Sequence, residues 1–255
     1  MNTAMRRIEE SSLNAWPALH QSIFDGWVLR YSFGYTKRAN SANPLYEGAL
    51  GLDAKIVHCE EYFATRGQPS IFRLTPFAPP ELDAALAERG YREVDHTRVM
   101  QFSLDAPDDE SAHRLARATG PTRVAINDVP LGDWLNAFCQ CQGAVLEQHE
   151  THHKMLSSIQ GDALFATSSV DDEPVACALG VVEHGFVGLF DFITSSAYRR
   201  QGHSTALMRA LLQRARALGA HTGYLQVVAN NRPAVAAYEK LGFADAYTYW
   251  YRIKP

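Results

Sequence analysis

The chain has 255 residues, 46% hydrophobic and 20% charged, with a formal net charge of −4. That balance excludes intrinsic disorder, collagen-like repeats and coiled coil, and the length suits two domains of ordinary size. No run approaches the roughly 18 consecutive apolar residues of a membrane span, and the N-terminus lacks the apolar centre of a secretion signal. An acidic balance offers no global field to nucleic acid or anionic membrane, and four cysteines make a poor disulfide framework. The expectation is a cytoplasmic enzyme with no nucleic-acid or membrane partner.

In chain order, 53–66 reads as a helix, 71–75 as a strand, 79–90 as a helix opening on prolines, and 90–102 as a strand. Residues 26–41 read as a hairpin turning near Phe33-Gly34. A polar stretch then ends at Gly120-Pro121, which punctuates structure strongly. The chain therefore divides into 1–105, a linker 106–121 and 122–255. In the second half the pattern predicts a strand over 122–127 and helices over 128–143 and 147–160. Strands over 163–170, 173–185 and 186–194 are joined by turns at Asp171-Asp172 and His184-Gly185. A helix over 203–219, a strand over 224–228, a helix over 232–241 stopped by Gly242 and a last strand over 246–253 complete it. The fold class is α/β (α+β), a mixed twisted sheet flanked by helices. The halves also resemble each other: 90–101 lies over 242–253 without a gap, which suggests a divergent internal duplication.

Two segments carry chemistry. Arg199-Arg200-Gln201-Gly202-His203-Ser204-Thr205 joins a strand to a helix. Glycine lets the backbone approach a ligand, the first helical turn supplies unpaired N–H groups and a positive dipole end, and two arginines add charge suited to phosphates. The segment from Asn231 to Phe243 follows the next strand, with Asn231 as cap, Pro233 in the first turn, and Ala234 and Tyr238 four apart on one face.

Together these segments resemble the GNAT superfamily of acetyl-CoA-dependent N-acyltransferases. Arg199, Gly202 and Ser204 follow its Q/R-x-x-G-x-G/A loop, with serine in place of the last small residue. Asn231, Ala234, Tyr238 and Gly242-Phe243 follow its N-x-x-A-x-x-x-Y helix leading to G-F. The resemblance covers about 122–255 and implies acetyl transfer to a small-molecule or peptide amine. It assigns the strand end Phe192-Ile193-Thr194 to the pantetheine arm, the N–H groups of Arg200, Gln201, Gly202, His203, Ser204 and Thr205 to the pyrophosphate, Asn231 and Ala234 to the cofactor, and Tyr238 to the thioester sulfur as general acid. A phenol of pKa about 10 is able to protonate a departing thiolate of pKa near 8.5. The base is open: the strand position where some relatives carry Glu is Gln226, leaving Asp191, His152, Glu183 or a water chain. Asp191 is also the candidate substrate-binding residue.

His149-Glu150-Thr151-His152-His153 matches the zinc-hydrolase pattern H-E-x-x-H. Leu156 and Ile159 stand where an extended motif would place its glycine and third histidine, so no catalytic metal is expected; Cys139 and Cys141 lack a second pair. The first half reads as a degenerate GNAT-like domain, since 46–52 lacks the Arg-x-x-Gly-x-Gly pattern and no tyrosine lies between Pro79 and Gly90. Arg38, Asn40 and Ser41 either shape the acceptor site or form a structural hydrogen-bond cluster. One acetyl-CoA per chain is expected, in a monomer or homodimer. The alternative is a non-catalytic acyl-CoA sensor on the same fold.

Overall fold

A computed structural model describes residues 3–105 and 123–255; the expected linker lies outside them. The elements are α1 (Thr3–Ala15), β1 (His20–Phe24), β2 (Trp27–Tyr31), β3 (Ala42–Pro44), α2 (Leu52–Ala64), β4 (Ser70–Leu74), α3 (Leu82–Glu88) and β5 (Arg92–Ser103). There follow β6 (Arg123–Ile126), α4 (Leu131–Gln142), α5 (Glu150–Ser157), β7 (Asp162–Val170), β8 (Glu173–Glu183), β9 (Phe186–Thr194), α6 (His203–Ala217), β10 (Thr222–Val228), α7 (Arg232–Leu241) and β11 (Ala244–Lys254).

One sheet of eleven strands runs through the protein in the order β1-β2-β3-β4-β11-β5-β10-β9-β8-β7-β6. The last strands of the two halves are exchanged. β5 leaves the first half to pair antiparallel with β10, Thr97 opposite Val228. β11 returns from the second half to pair antiparallel with β4, Trp250 opposite Leu74. The two long strands also pair with each other, from Ala244 opposite Gln101 to Ile253 opposite Arg92. Each follows a glycine in the left-handed region, Gly90 or Gly242, which matches their similarity in sequence.

Local chemistry explains the hairpins. β1–β2, β7–β8 and β8–β9 turn at Asp25-Gly26, Asp171-Asp172 and His184-Gly185, all with positive φ at both residues, the turn whose twist matches the strands it joins. Residues 32–41 form a broader connection between β2 and β3 that includes a 3-10 turn, Lys37–Ala39. The expected hairpin over 26–41 is thus two strands separated by a structured loop. Asn40 organises it, accepting from the N–H of Ser32 (2.7 Å) and Gly34 (3.0 Å) and donating to the Thr36 carbonyl (2.7 Å). β8 is buried on both faces along most of its length, as its near-continuous apolar run requires. Trp134, Phe138, Met155 and Leu156 from α4 and α5, with Ile8 and Trp16 from the first half, cover one face around Cys177 and Leu179. Leu207, Leu211 and Val235 from α6 and α7 cover the other, around Ala176 and Ala178.

α1 and β1 fall where sequence periodicity suggests no element. The face α1 buries includes Glu9, Ser11 and Ser12. Glu9 pairs with the fully buried Arg73 on β4, which in turn lies over the Tyr249 ring at 3.8 Å, and Glu9 also accepts from the Tyr247 hydroxyl. A helix of the first half is thereby tied to a strand of each half by polar contacts.

Candidate active site

β9 and β10 run parallel and pair from Phe186 opposite Thr222 as far as Leu189 opposite Leu225; both then continue, to Thr194 and Val228, without pairing to each other. On its other edge β9 stays bonded to β8, with Ile193 opposite Cys177 and Thr194 opposite Ala176. The register slips between Leu179–Phe190 and Cys177–Ile193, and Asp191 in that bulge has φ +52. The strands diverge into a wedge, and the edge of β9 facing it is unpaired with β10. Unpaired backbone of this kind is ready to bond an extended amide chain.

The wedge opens into a cavity of about 550 Å³, within the roughly 300–1,000 Å³ usual for small-molecule sites. Asp191 and Phe192 line it from β9, Gln226 from β10, Asn231 from the cap of α7, and Ala234 and Tyr238 from that helix. Asn231 caps α7 by accepting from the Ala234 N–H at 3.4 Å, and Pro233 sits in the first turn. Tyr238 is half-buried beside Phe243, with ring centroids 6.1 Å apart. Burial raises its phenol above the ordinary value of 10.0, so it keeps its proton through neutral pH.

Beyond Thr194 the chain makes a 3-10 turn, Ser196–Tyr198, and enters α6 through Arg199, Arg200, Gln201 and Gly202. Gly202 has φ +90 and nothing within 4 Å of the place a Cβ would take; it is glycine for its backbone. No side chain caps the helix there, and the first turn closes with the Ala206 N–H on the Gly202 carbonyl (2.9 Å). The preceding N–H groups have no partner within the helix. Arg199, Arg200, Gln201 and Ser204 are exposed, whereas the His203 ring turns inward and bonds Ser168 Oγ at 2.9 Å through Nδ1. His203 can serve an anion only through its backbone. None of 199–205 lines the cavity; they lie beyond the end of the same strand.

Further lining comes from the first half and the exchanged strands: Trp16, Thr36, Lys37 and Arg38, Asp95 and Thr97 from β5, Tyr249 and Tyr251 from β11. Sequence reasoning missed all of these except Arg38, although the match between 90–101 and 242–253 marked the two strands involved. Lys37 and Asp95 pair at 2.8 Å. The Tyr249 hydroxyl donates to Gln226 Oε1 at 2.8 Å. Asn40 and Ser41 are buried within the loop's own bonds and do not line the cavity.

The candidates for the base separate. Asp191 lines the cavity, and its Oδ2 lies 2.8 Å from Nε2 of His152, which is fully buried. Glu183 sits opposite Phe186 at the far end of β9, with Asn14 Nδ2 bonded to it at 3.0 Å, and does not reach the cavity. In the H-E-x-x-H segment, His149 precedes α5 with non-helical dihedrals, His153 is exposed, and Glu150 pairs with Lys154. Burial and the neighbouring His152 lower the His149 imidazole, against an opposing pull from Asp191. Among the described residues no three His, Cys, Asp or Glu side chains gather as a metal site.

The corresponding place in the first half is different. α2 follows β3 as α6 follows β9, and the chain leading into it donates the N–H groups of Ala49 and Leu50 to the Asp25 carboxylate at 2.8 and 2.9 Å. Lys55, one turn on, pairs with the same carboxylate at 2.8 Å. The segment entering α2 is thus bonded to a carboxylate of the chain itself.

Comparison with known proteins agrees with this architecture. Residues 2–252 match the family model described as "Probable histone acetyltransferase Rv0428c C-terminal". A protein of Bacillus subtilis (strain 168) described as "Uncharacterized N-acetyltransferase YobR" is 29% identical over 259 residues, covering 98% of each chain. A GCN5-related N-acetyltransferase from Kribbella flavida has the same fold with a TM-score of 0.71 at 19% identity, covering 100% of this chain and 96% of that one. A tandem GNAT protein from the clavulanic acid biosynthesis pathway gives a TM-score of 0.62 at 14% identity, covering 84% of this chain and 76% of its own.

Proposed function

The chain belongs to that acetyltransferase family, and from this premise we propose that it moves an acetyl group from acetyl-CoA to the amine of an acceptor, in the cavity between β9 and β10. It is an acyltransferase of the GNAT type; the donor, the acceptor's amine and the role of each residue are the proposal. One observation carries it. Where β9 and β10 part, the wedge has a free backbone edge and Asp191 on one side and Tyr238 on the other.

The residues present fit the donor. The uncapped N-terminus of α6, with Arg199 and Arg200 beside it, suits a pyrophosphate. The free edge of β9 from Phe192 to Thr194 suits the amide groups of the pantetheine arm, and Asn231 and Ala234 border its path. When bound, acetyl-CoA supplies an acyl group activated as a thioester. The protein then has three tasks. A backbone N–H at the bulge stabilises the negative charge that develops on the carbonyl oxygen. Asp191, held by His152, orients the amine that forms the new C–N bond. As the C–S bond breaks, Tyr238 gives its proton to the sulfur, and the proton lost by the amine leaves by way of Asp191 or water. Gln226 cannot take that proton; its amide oxygen is already engaged by Tyr249.

Tyr238→Phe tests the reading, because it keeps the ring and removes the proton. General acid catalysis is worth about 10²–10⁴ in rate, so kcat for CoA release in the presence of an acceptor falls by that factor. Affinity for acetyl-CoA changes less than about tenfold, since no ground-state bond is assigned to the hydroxyl. Full kcat in the variant would remove Tyr238 from the mechanism. Tight acetyl-CoA binding by the wild type with no acceptor ever acetylated would favour the sensor.

A further inference from the structure

The acceptor end of the cavity carries both signs of charge, and only one of them is answered from within the protein. Asp191 is bonded to His152. Arg38 lines the same cavity, with its guanidinium 5.9 Å from the Trp16 ring and 5.8 Å from the Phe190 ring. Its Nε is buried with no hydrogen-bond partner, and among the described residues it makes no ion pair. The nearby carboxylates are taken: Asp95 by Lys37, Glu9 by Arg73, Asp191 by His152.

The ground beneath is also short of negative charge. Arg30 and Arg73 are fully buried close to Arg38, with Glu9 as the buried carboxylate among them. Burial, and then the fields of Arg73 and Arg38, lower the Arg30 guanidinium to about 9. Burial would raise the Tyr249 phenol, yet the fields of Arg38 and Arg73 help bring it below its ordinary value. A guanidinium in such surroundings without a counter-ion is costly, and a planar carboxylate is the anion its fork fits best. The loop is fixed before any ligand arrives, by Asn40 and by the Arg38 carbonyl accepting from Arg30 at 2.9 Å. The donor's phosphates do not answer Arg38, because the loop assigned to them lies outside this cavity.

We propose that the acceptor is a small zwitterion, an amine that also carries a carboxylate, with Arg38 holding the carboxylate and Asp191 the amine. This rests on the acyl-transfer reading for its consequence but not for its test. The first half of the chain, which supplies Arg38 and Trp16, thereby selects the acceptor.

The experiment is calorimetric titration of the CoA-saturated protein with matched trios: leucine, leucinamide and 3-methylbutylamine, and phenylalanine, phenylalaninamide and phenethylamine. A lysine peptide blocked at both ends completes the set. At least one free acid binds tenfold or more tighter than its amide and its decarboxylated amine. That preference disappears in Arg38→Met and persists, weakened, in Arg38→Lys; affinity for CoA reports that both variants are folded. Equal binding of acid and amide by the wild type, failure of both acids to bind, preference for the blocked lysine peptide, or a preference that survives Arg38→Met would each overturn the proposal. The wild-type ratio is decisive even if a variant misfolds. CoA release measured on the same trios separates the two readings: acids that bind with the stated preference but are never acetylated support the charge assignment and overturn acyl transfer.

Discussion

Glu9 is a charge the interior must accommodate. It lies almost wholly buried on α1 and answers Arg73, itself without solvent exposure, while accepting from Tyr247. Removing one partner of a buried pair leaves the other charged and unsolvated, which costs about 3–5 kcal/mol. Glu9→Gln therefore lowers unfolding free energy by about that amount in denaturant titration, and Arg73→Met in the same background restores part of it. A loss below 1 kcal/mol would mean that Arg73 finds another counter-charge. The same burial shows why a single residue can be hard to read in a sequence. Tyr238 and Gly202 stand in local patterns with an evident chemical purpose, whereas Glu9 looks like one more acid in a polar N-terminus.

At the scale of elements, the segments that lead into α2 and α6 differ in what holds them. Both helices follow a glycine with open space around it, but the N–H groups of Ala49 and Leu50, just before α2, are bonded to Asp25 from the β1–β2 turn, which also pairs with Lys55 of that helix. The bond from Lys55, followed by the two backbone N–H groups, lowers the Asp25 carboxyl from 3.8 to about 2. A depressed pKa adds stability above the unfolded value and loses it as pH falls through the folded value. The wild type is accordingly more stable than Asp25→Asn at pH 5 and above, and the gap closes between about pH 4 and pH 2. A gap that stays constant down to pH 2 would show that the carboxylate's charge is not what holds the turn.

Elements with strong local signals were legible in sequence: the β7–β8–β9 meander from its two turns, α6 and α7 from their periodicity and stops. α1 was not, because its buried face is partly polar, nor was β1, an exposed edge strand of mixed composition. The site divides the same way. Phe192, Asn231, Ala234 and Tyr238, expected from the family resemblance, line one cavity together with Asp191, one of the open candidates for the base. Thr97 and Tyr249 were not expected, because strand periodicity tells which face a residue takes and nothing of which strand lies beside it; Trp16 was not, because it lies in the connection after α1, outside any periodic element.

For the whole molecule, the exchange of β5 and β11 makes one sheet of two related halves and places the cavity where both contribute. The second half brings the wedge and Tyr238; the first brings Arg38 and Trp16, and its own segment leading into α2 is bonded to Asp25. The central claim is that the donor binds once, between β9 and β10. Calorimetric titration of the full chain with acetyl-CoA tests it directly. One site per chain is expected, unchanged in number in Asp25→Asn and abolished in Gly202→Glu, which sets a bulky negative side chain at the mouth of α6. Two equivalent sites in the wild type, or undiminished binding by Gly202→Glu, would contradict the account.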